Sequence, residues 1–198
     1  MRRMKQIWDE ILEQIKLISS DIYASVNPPA DPAQIRMLEE TVGVKLPPDF
    51  CGYLSALNGQ KNTEEQTRDR NVERPLLGYY PFLSVTGIIE TWQMMNALFA
   101  KETAPLEWVT EDKIKPYIWR KHWIPFTEYE GSWYLILDCD PGKNGTYGQV
   151  FCWCSGMDYS DVTANSFTEF SEKVLARLTE KRYELTEFGT IEFDDYYI

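Results

Sequence analysis

The sequence predicts an α+β fold, a mixed and mostly antiparallel sheet of about six strands wrapped by about five helices. Three observations carry that reading. Apolar residues recur at helical spacing through the N-terminal half and again after Ser166. Between them lies a run of short apolar segments punctuated by Gly, Pro and Asn, which reads as an antiparallel meander. The chain has 198 residues, 43% of them apolar and 26% charged, a globular composition long enough for one domain and short for two. We therefore expect a single domain over 1–198, with a core of about 5–180 and an acidic extension over 181–198.

The first helix is expected over 5–18, where Ile7, Ile11, Ile15 and Ile18 form one stripe beside Trp8 and Leu12. A proline-bearing linker follows. Asp31 can cap the next helix, Pro32 suits its first position, Gln34 completes a capping box, and Gly43 ends it. Ile35, Leu38 and Val42 face inward. A third helix begins at Pro47 or Pro48, buries Phe50, Tyr53, Leu54 and Leu57, and is expected to end in a left-handed turn at Asn58-Gly59. The segment from Lys61 to Arg74 has no apolar periodicity and reads as a mobile, solvated loop.

"LLGYYPFLS" reads as a strand leading to Ser84, an N-cap for a helix carrying Ile88, Trp92, Met95 and Phe99 on one side. The meander comprises "HWIPFTEY", a Glu130-Gly131 turn, "SWYLILDCD", a Gly-rich loop, "GQVFCWC" and "DYSDVTA". Trp133 to Leu137 is apolar without alternation, as in a central strand covered on both faces. Ser166 and Glu169 form a second capping box before a helix with Phe167, Phe170, Val174 and Leu178 on its stripe, expected to lie on the sheet. The tail after Arg182 reads as a short hairpin.

No catalytic constellation emerges. His122 is the sole histidine, so a Ser-His or Cys-His pair has one possible base, and a structural role is the simpler reading. Cys51, Cys139, Cys152 and Cys154 lack the paired spacing of a zinc site and read as free thiols. "DCDPGKNG" lacks the turn glycine and the terminal Glu of a calcium loop. We expect no enzyme, no metal and no cofactor.

The net charge is -11, from 20 Lys+Arg against 31 Asp+Glu. Such a surface repels phosphate backbones and anionic lipids, so neither nucleic acid nor membrane is an expected partner. It favours encounter with a basic protein, although acidity also serves solubility alone. Asp9, Glu10 and Glu13 interrupt any leader-like apolar run near the start and no run is long enough to span a bilayer, so a cytoplasmic protein is expected.

The residues "PPADPAQIRMLEETVGVKLPPDFCGYLSALNGQ", preceded by the Trp8 helix and followed by "WIPFTEYEGSWYLILDCDPG", "GQVFCW" and "VTANSFTEFSEKVLARL", resemble the SUKH superfamily. That superfamily includes fungal cell-wall synthesis regulators and many bacterial toxin-immunity proteins. The resemblance implies an α+β fold and a small cytosolic protein that neutralises a cognate polymorphic toxin, often a nuclease, by binding it. It implies no catalytic residues: the prolines and Gly43 set helix ends, and Asp138 supports the adjoining turn.

An acidic protein can occupy a nuclease's basic cleft by imitating the substrate's charge, with aromatic side chains as buried anchors. On that reasoning Glu192, Asp194, Asp195, Tyr196 and Tyr197 of the tail, with Glu128, Glu130, Asp158, Tyr159 and Asp161 of the meander, are the expected partner-binding residues. Two other functions stay open. One is an interaction scaffold resembling the fungal regulators, which a genome without a neighbouring toxin gene would favour. The other is a small-molecule-binding or enzymatic domain, which requires a sizeable polar-lined pocket on the sheet.

Overall fold

The isoleucine stripe near the N-terminus folds as α1 (Arg2–Ile18), burying Met4, Ile7, Trp8, Ile11 and Ile15. The computed structural model describes residues 2–61, 75–107, 109, 112–155, 161–187 and 189–193; the expected loop over 61–74 lies, but for Lys61, outside them. A one-turn helix that the sequence reading missed, α2 (Ser20–Ala24), follows, its Ile22 amide donating to the Ser19 hydroxyl at 3.3 Å. The helix α3 (Pro32–Val42) starts as expected. Asp31 Oδ1 accepts from the amides of Ala33 and Gln34, at 2.7 and 2.9 Å, and Gln34 Oε1 accepts from the Asp31 amide at 2.9 Å. Gly43 closes it in the left-handed region.

The next helix, α4 (Pro48–Leu54), is shorter than expected. Ser55 ends it in right-handed geometry, so Asn58-Gly59 is not its terminator. These residues are a junction instead. A Cβ at Gly59, whose φ is +60°, would lie 2.3 Å from the backbone of Leu83, so two chain segments cross where only glycine fits. Asn58 Oδ1 accepts from the Val85 amide at 2.7 Å, and Gln60 Oε1 accepts from the amides of Leu76 and Phe82, at 2.8 and 3.1 Å.

That junction explains why "LLGYYPFLS" is not a strand. Only isolated bridges form there, Leu77 with Tyr80 and Phe82 with Thr127. Gly78 turns the chain at positive φ, and the Gln60 side chain takes amides that a neighbouring strand would otherwise pair. Ser84 then caps α5 (Val85–Leu98), its hydroxyl accepting from the Gly87 amide, and Ile88, Trp92 and Met95 are buried. Phe99 is the C-cap of that helix and packs against Trp119 and Trp153.

The strands β1 (Trp123–Pro125), β2 (Trp133–Asp138), β3 (Gln149–Cys154) and β4 (Val162–Ala164) pair antiparallel in chain order. Glu130 and Gly131 both adopt positive φ in the turn before β2. Leu135 and Leu137 of β2 enter a larger apolar cluster on one sheet face, while Tyr134 and Ile136 enter a smaller one on the other. The central strand is covered on both sides, as expected. The remaining two strands, β5 (Tyr183–Leu185) and β6 (Ile191–Phe193), form a separate hairpin rather than extending the sheet.

The last helix, α6 (Phe167–Thr179), packs on α1, α4 and the edge of the sheet. Trp8 Nε1 donates to Ser171 Oγ at 3.0 Å, and Phe167 contacts Trp8, Phe50, Tyr53, Phe126 and Phe170. The expected capping box is half formed. Ser166 Oγ accepts from the Glu169 amide, but Glu169 Oε2 reaches back one residue further, accepting from Asn165 N and Nδ2, both at 2.9 Å. Asp49 of "LPPDF" supplies a second cap from outside the helix: its Oδ2 accepts from Thr168 N and Oγ1 at 2.9 and 3.0 Å. The motif joins α4 to α6.

Candidate functional site: a protein-binding face

Two ends of the sheet differ in kind. At one end Asp138 holds the "DCDPG" turn, Oδ1 accepting from the Asp140 amide at 2.9 Å and Oδ2 from Gln149 Nε2 at 2.8 Å. Burial raises the Asp138 carboxyl to about 6, although the donors from Asp140 and Gln149 pull it down. Asp140 behaves oppositely. Partial burial pushes it up, but Lys115 and Arg120 bond it and hold it below its ordinary value. These residues carry the turn and the packing of the 112–120 segment against it, through Gly142 N to Lys113 O at 2.8 Å and Asn144 N to Asp112 O at 3.0 Å.

The other end carries the acids singled out from the sequence. Glu128 and Glu130 flank the turn into β2 and line a cleft of about 380 Å³ with Glu90 and Thr91 of α5, over a floor of Pro81, Phe82 and Leu83. Thr91 is buried, and its hydroxyl donates to Glu128 Oε2 at 3.1 Å, which fixes that carboxylate. Among the described residues of its lining, Lys61 is the one cation beside three carboxylates. Tyr79 and Tyr129 stand beside this cleft with ring centroids 5.6 Å apart.

The hairpin adjoins the same end, since Gly78 N donates to Ile191 O at 2.7 Å next to Tyr79. Glu192 therefore belongs to this side of the molecule, directly opposite Glu184 in the hairpin. Like charges facing across a strand pair are unfavourable, so the hairpin's acids do not serve its stability. Asp161 lies just before β4, whose Val162 pairs with Phe151. Ser155 N donates to Ser132 O at 2.8 Å, so β3 ends where the Glu130 turn sits. Of the ten residues expected to bind a partner, Asp158, Tyr159, Asp194, Asp195, Tyr196 and Tyr197 lie outside the described residues.

Glu90, Thr91 and Tyr79 were missed. Glu90 and Thr91 sit on a helix whose apolar stripe marks the side next to them, and Tyr79 falls within "LLGYYPFLS", whose composition reads as a strand. The one available signal was the run of positions 87, 90, 91, 94 and 98, spaced for a second face of α5.

None of the four cysteines is in a disulfide. Burial pushes the Cys139 thiol up to about 12 and the Cys152 thiol up to about 11, which leaves them protonated and weakly nucleophilic. Among the described residues no group of three or more His, Cys, Asp or Glu side chains converges on a metal position, and no helix is long and apolar enough to cross a membrane.

Comparison with curated proteins returns no match. A sequence model described as the SMI1 / KNR4 family (SUKH-1) matches residues 29–173, well over half of the chain. The match runs from the segment before the α3 cap through the Asn58-Gly59-Gln60 junction, the four-stranded sheet and the first turns of α6. With the helix ends, the crossing at Gly59 and the Asp49 cap all inside it, the chain belongs to the SMI1 / KNR4 family (SUKH-1).

Proposed function

We propose that this protein is an immunity protein of the cytoplasm, a non-enzymatic binder that neutralises a cognate basic toxin, most simply a nuclease domain, by covering its phosphate-binding surface. The observation that carries the reading is the grouping of Glu90, Glu128 and Glu130 around one cleft beside Tyr79 and Tyr129, on a chain of net charge -11. Carboxylates at that end of the sheet imitate the charge of a nucleic-acid backbone, and the exposed ring of Tyr79, backed by the partly buried Tyr129, supplies contact area of the kind that dominates interfaces. The buried, protonated thiols and the lone histidine fit a role without chemistry of its own.

The test is co-purification from native cells with the tagged full chain as bait, at low and high salt. A basic toxin domain recovered near stoichiometry, lost as salt rises, is the expected result. Recovery of a cellular regulatory complex instead, or of nothing at either salt, would move the function to an interaction scaffold without a toxin. Charge reversal at Glu128, Glu130, Asp161 and Glu192 should weaken toxin binding and flatten its salt dependence.

A further inference from the structure

One helix face links two surface features. Gly87, Glu90 and Thr91 line the acidic cleft, and Met94 and Leu98 follow on the same side of α5 at the i, i+3/i+4 spacing of neighbouring side chains. The core stripe of Val85, Ile88, Trp92 and Met95 lies on the adjoining side. Met94 is 47% exposed and Leu98 66%, so a stripe of apolar surface continues directly from the carboxylates. Scattered surface apolar residues need no explanation, but two in register with a charged cleft make a composite surface.

The cleft's shape is set by named side chains. Pro81 and Leu83, both partly exposed at its floor, suit the methylene stem of a long cation, and its rim of Glu90, Glu128 and Glu130 suits the charged head. Gly87 keeps the wall back, since a Cβ there would come within 3.3 Å of the Leu83 side chain and 3.6 Å of Ser84 Oγ.

We propose that the cleft between α5 and the Glu130 turn, continued by Met94 and Leu98, docks a basic amphipathic segment of a protein partner, with one arginine or lysine seated among the three glutamates and an apolar side chain laid along Met94 and Leu98. Charge complementarity commits the occupant: among the described residues that line the cleft, three carboxylates stand against one ammonium, Lys61, so an acidic or neutral segment is disfavoured. The inference rests on the reading above in taking the partner to be a basic protein. It goes further in naming the seat and the side chains that fill it.

The probe is a helical peptide of about 15 residues carrying arginines and leucines on one face, titrated into isotope-labelled full-length protein by NMR. The expected shifts are confined to the amides of 87–98 and 128–131. Glu90→Lys with Glu128→Lys should weaken the peptide at least about tenfold, and added salt should weaken it further. Gly87→Gln, which changes no charge and adds helix propensity, should block the seat by a similar factor. Shifts centred on the β5–β6 hairpin, shifts spread over the whole acidic surface, unchanged affinity in these variants, or no binding of the peptide would each overturn the proposal. The two readings fail separately. A toxin that binds the double charge-reversal variant at full strength leaves immunity standing and removes this seat, whereas a peptide seated in the cleft of a protein that captures no toxin does the reverse.

Discussion

The two faces of the four-stranded sheet are built on different terms. On one, α1, α4 and α6 lay regular helices over Leu135, Leu137, Val150 and Cys152, and Phe167 stacks on Trp8 while meeting Phe50, Tyr53, Phe126 and Phe170 edge to face or tilted. Trp8 there has its indole N–H bonded to Ser171. On the other face Met95, Ile114, Trp119, Trp123, Tyr134, Ile136, Phe151 and Trp153 form a smaller cluster, covered by the C-terminal end of α5 and the irregular segment before β1. Within that cluster Trp119 Nε1 and Tyr134 Oη are buried and accept or donate no hydrogen bond, whereas the much larger first cluster has one such atom, Tyr53 Oη, among the described residues. A buried polar group without a partner carries its full desolvation cost. The first face, which also buries Val85, Ile88 and Trp92 of α5 and Phe82 under the acidic cleft, is organised for stability, whereas the second leaves two buried polar atoms without a partner.

The sharpest test of that contrast is Phe167→Ala against Trp119→Phe. Phe167 is fully buried at the centre of the first face, and truncating it should cost about 3–5 kcal/mol, read by chemical denaturation. Trp119→Phe removes ring volume but also the unpartnered N–H, and should cost under about 1 kcal/mol. Equal costs for the two would dissolve the distinction between the faces.

Asp138 offers a test that depends on pH. It is fully buried, and its folded value of about 6 stands above the ordinary 3.8, so the native state retains a proton that the unfolded chain has released. Between about pH 4 and 6 this group's contribution to stability therefore falls as pH rises, by about 3 kcal/mol, and is level above that window. Asp138→Asn should flatten the slope there, at the loss of one of the bonds to Asp140 and Gln149. An unaltered slope in denaturation series taken across that range would remove Asp138 as its cause.

On the second face, Tyr134→Phe deletes a hydroxyl that burial, with the nearby Glu128 charge, pushes up to about 12. The variant should be as stable as the natural chain or more stable by about 1 kcal/mol. A loss of that size instead would mean the hydroxyl has a partner in solution and that the second face is better satisfied than its geometry implies.

How much of this was legible in the sequence follows from the range of the interactions. The α3 cap reads directly because Asp31, Pro32 and Gln34 act within one turn, and the stripes of α1 and α6 read because burial enforces their period. The fate of "LLGYYPFLS" did not, since the group that takes its amides is the side chain of Gln60, at least sixteen residues away in sequence. Glu169 was assigned to Ser166 by spacing alone, but Asn165 offers two donors at once. For the binding face, composition was enough to single out Glu128 and Glu130. Glu90, Met94 and Leu98 stayed hidden because a helix has two informative faces here, and the second acquires meaning only when the Glu130 turn is brought against it.

Glu169 closes the comparison from the first face. Its bond to Lys173 and those from the Asn165 backbone and side chain hold its carboxyl down to about 2, against an ordinary 4.5. The sign is opposite to that of Asp138: the contribution is present above about pH 4.5 and is lost as pH falls toward 2. The side chain is 37% exposed, so solvent screening reduces the effect to about 1 kcal/mol or less. Glu169→Gln should cost that amount at neutral pH and nothing near pH 2, because the amide oxygen still accepts from Asn165 while the ion pair to Lys173 is gone. Stability of the natural chain should therefore pass through a maximum between the two windows, the helical face holding it up from the acid side and the turn at Asp138 eroding it from the other. A variant pair, Glu169→Gln and Asp138→Asn, that left this maximum in place would show that neither acid sets it.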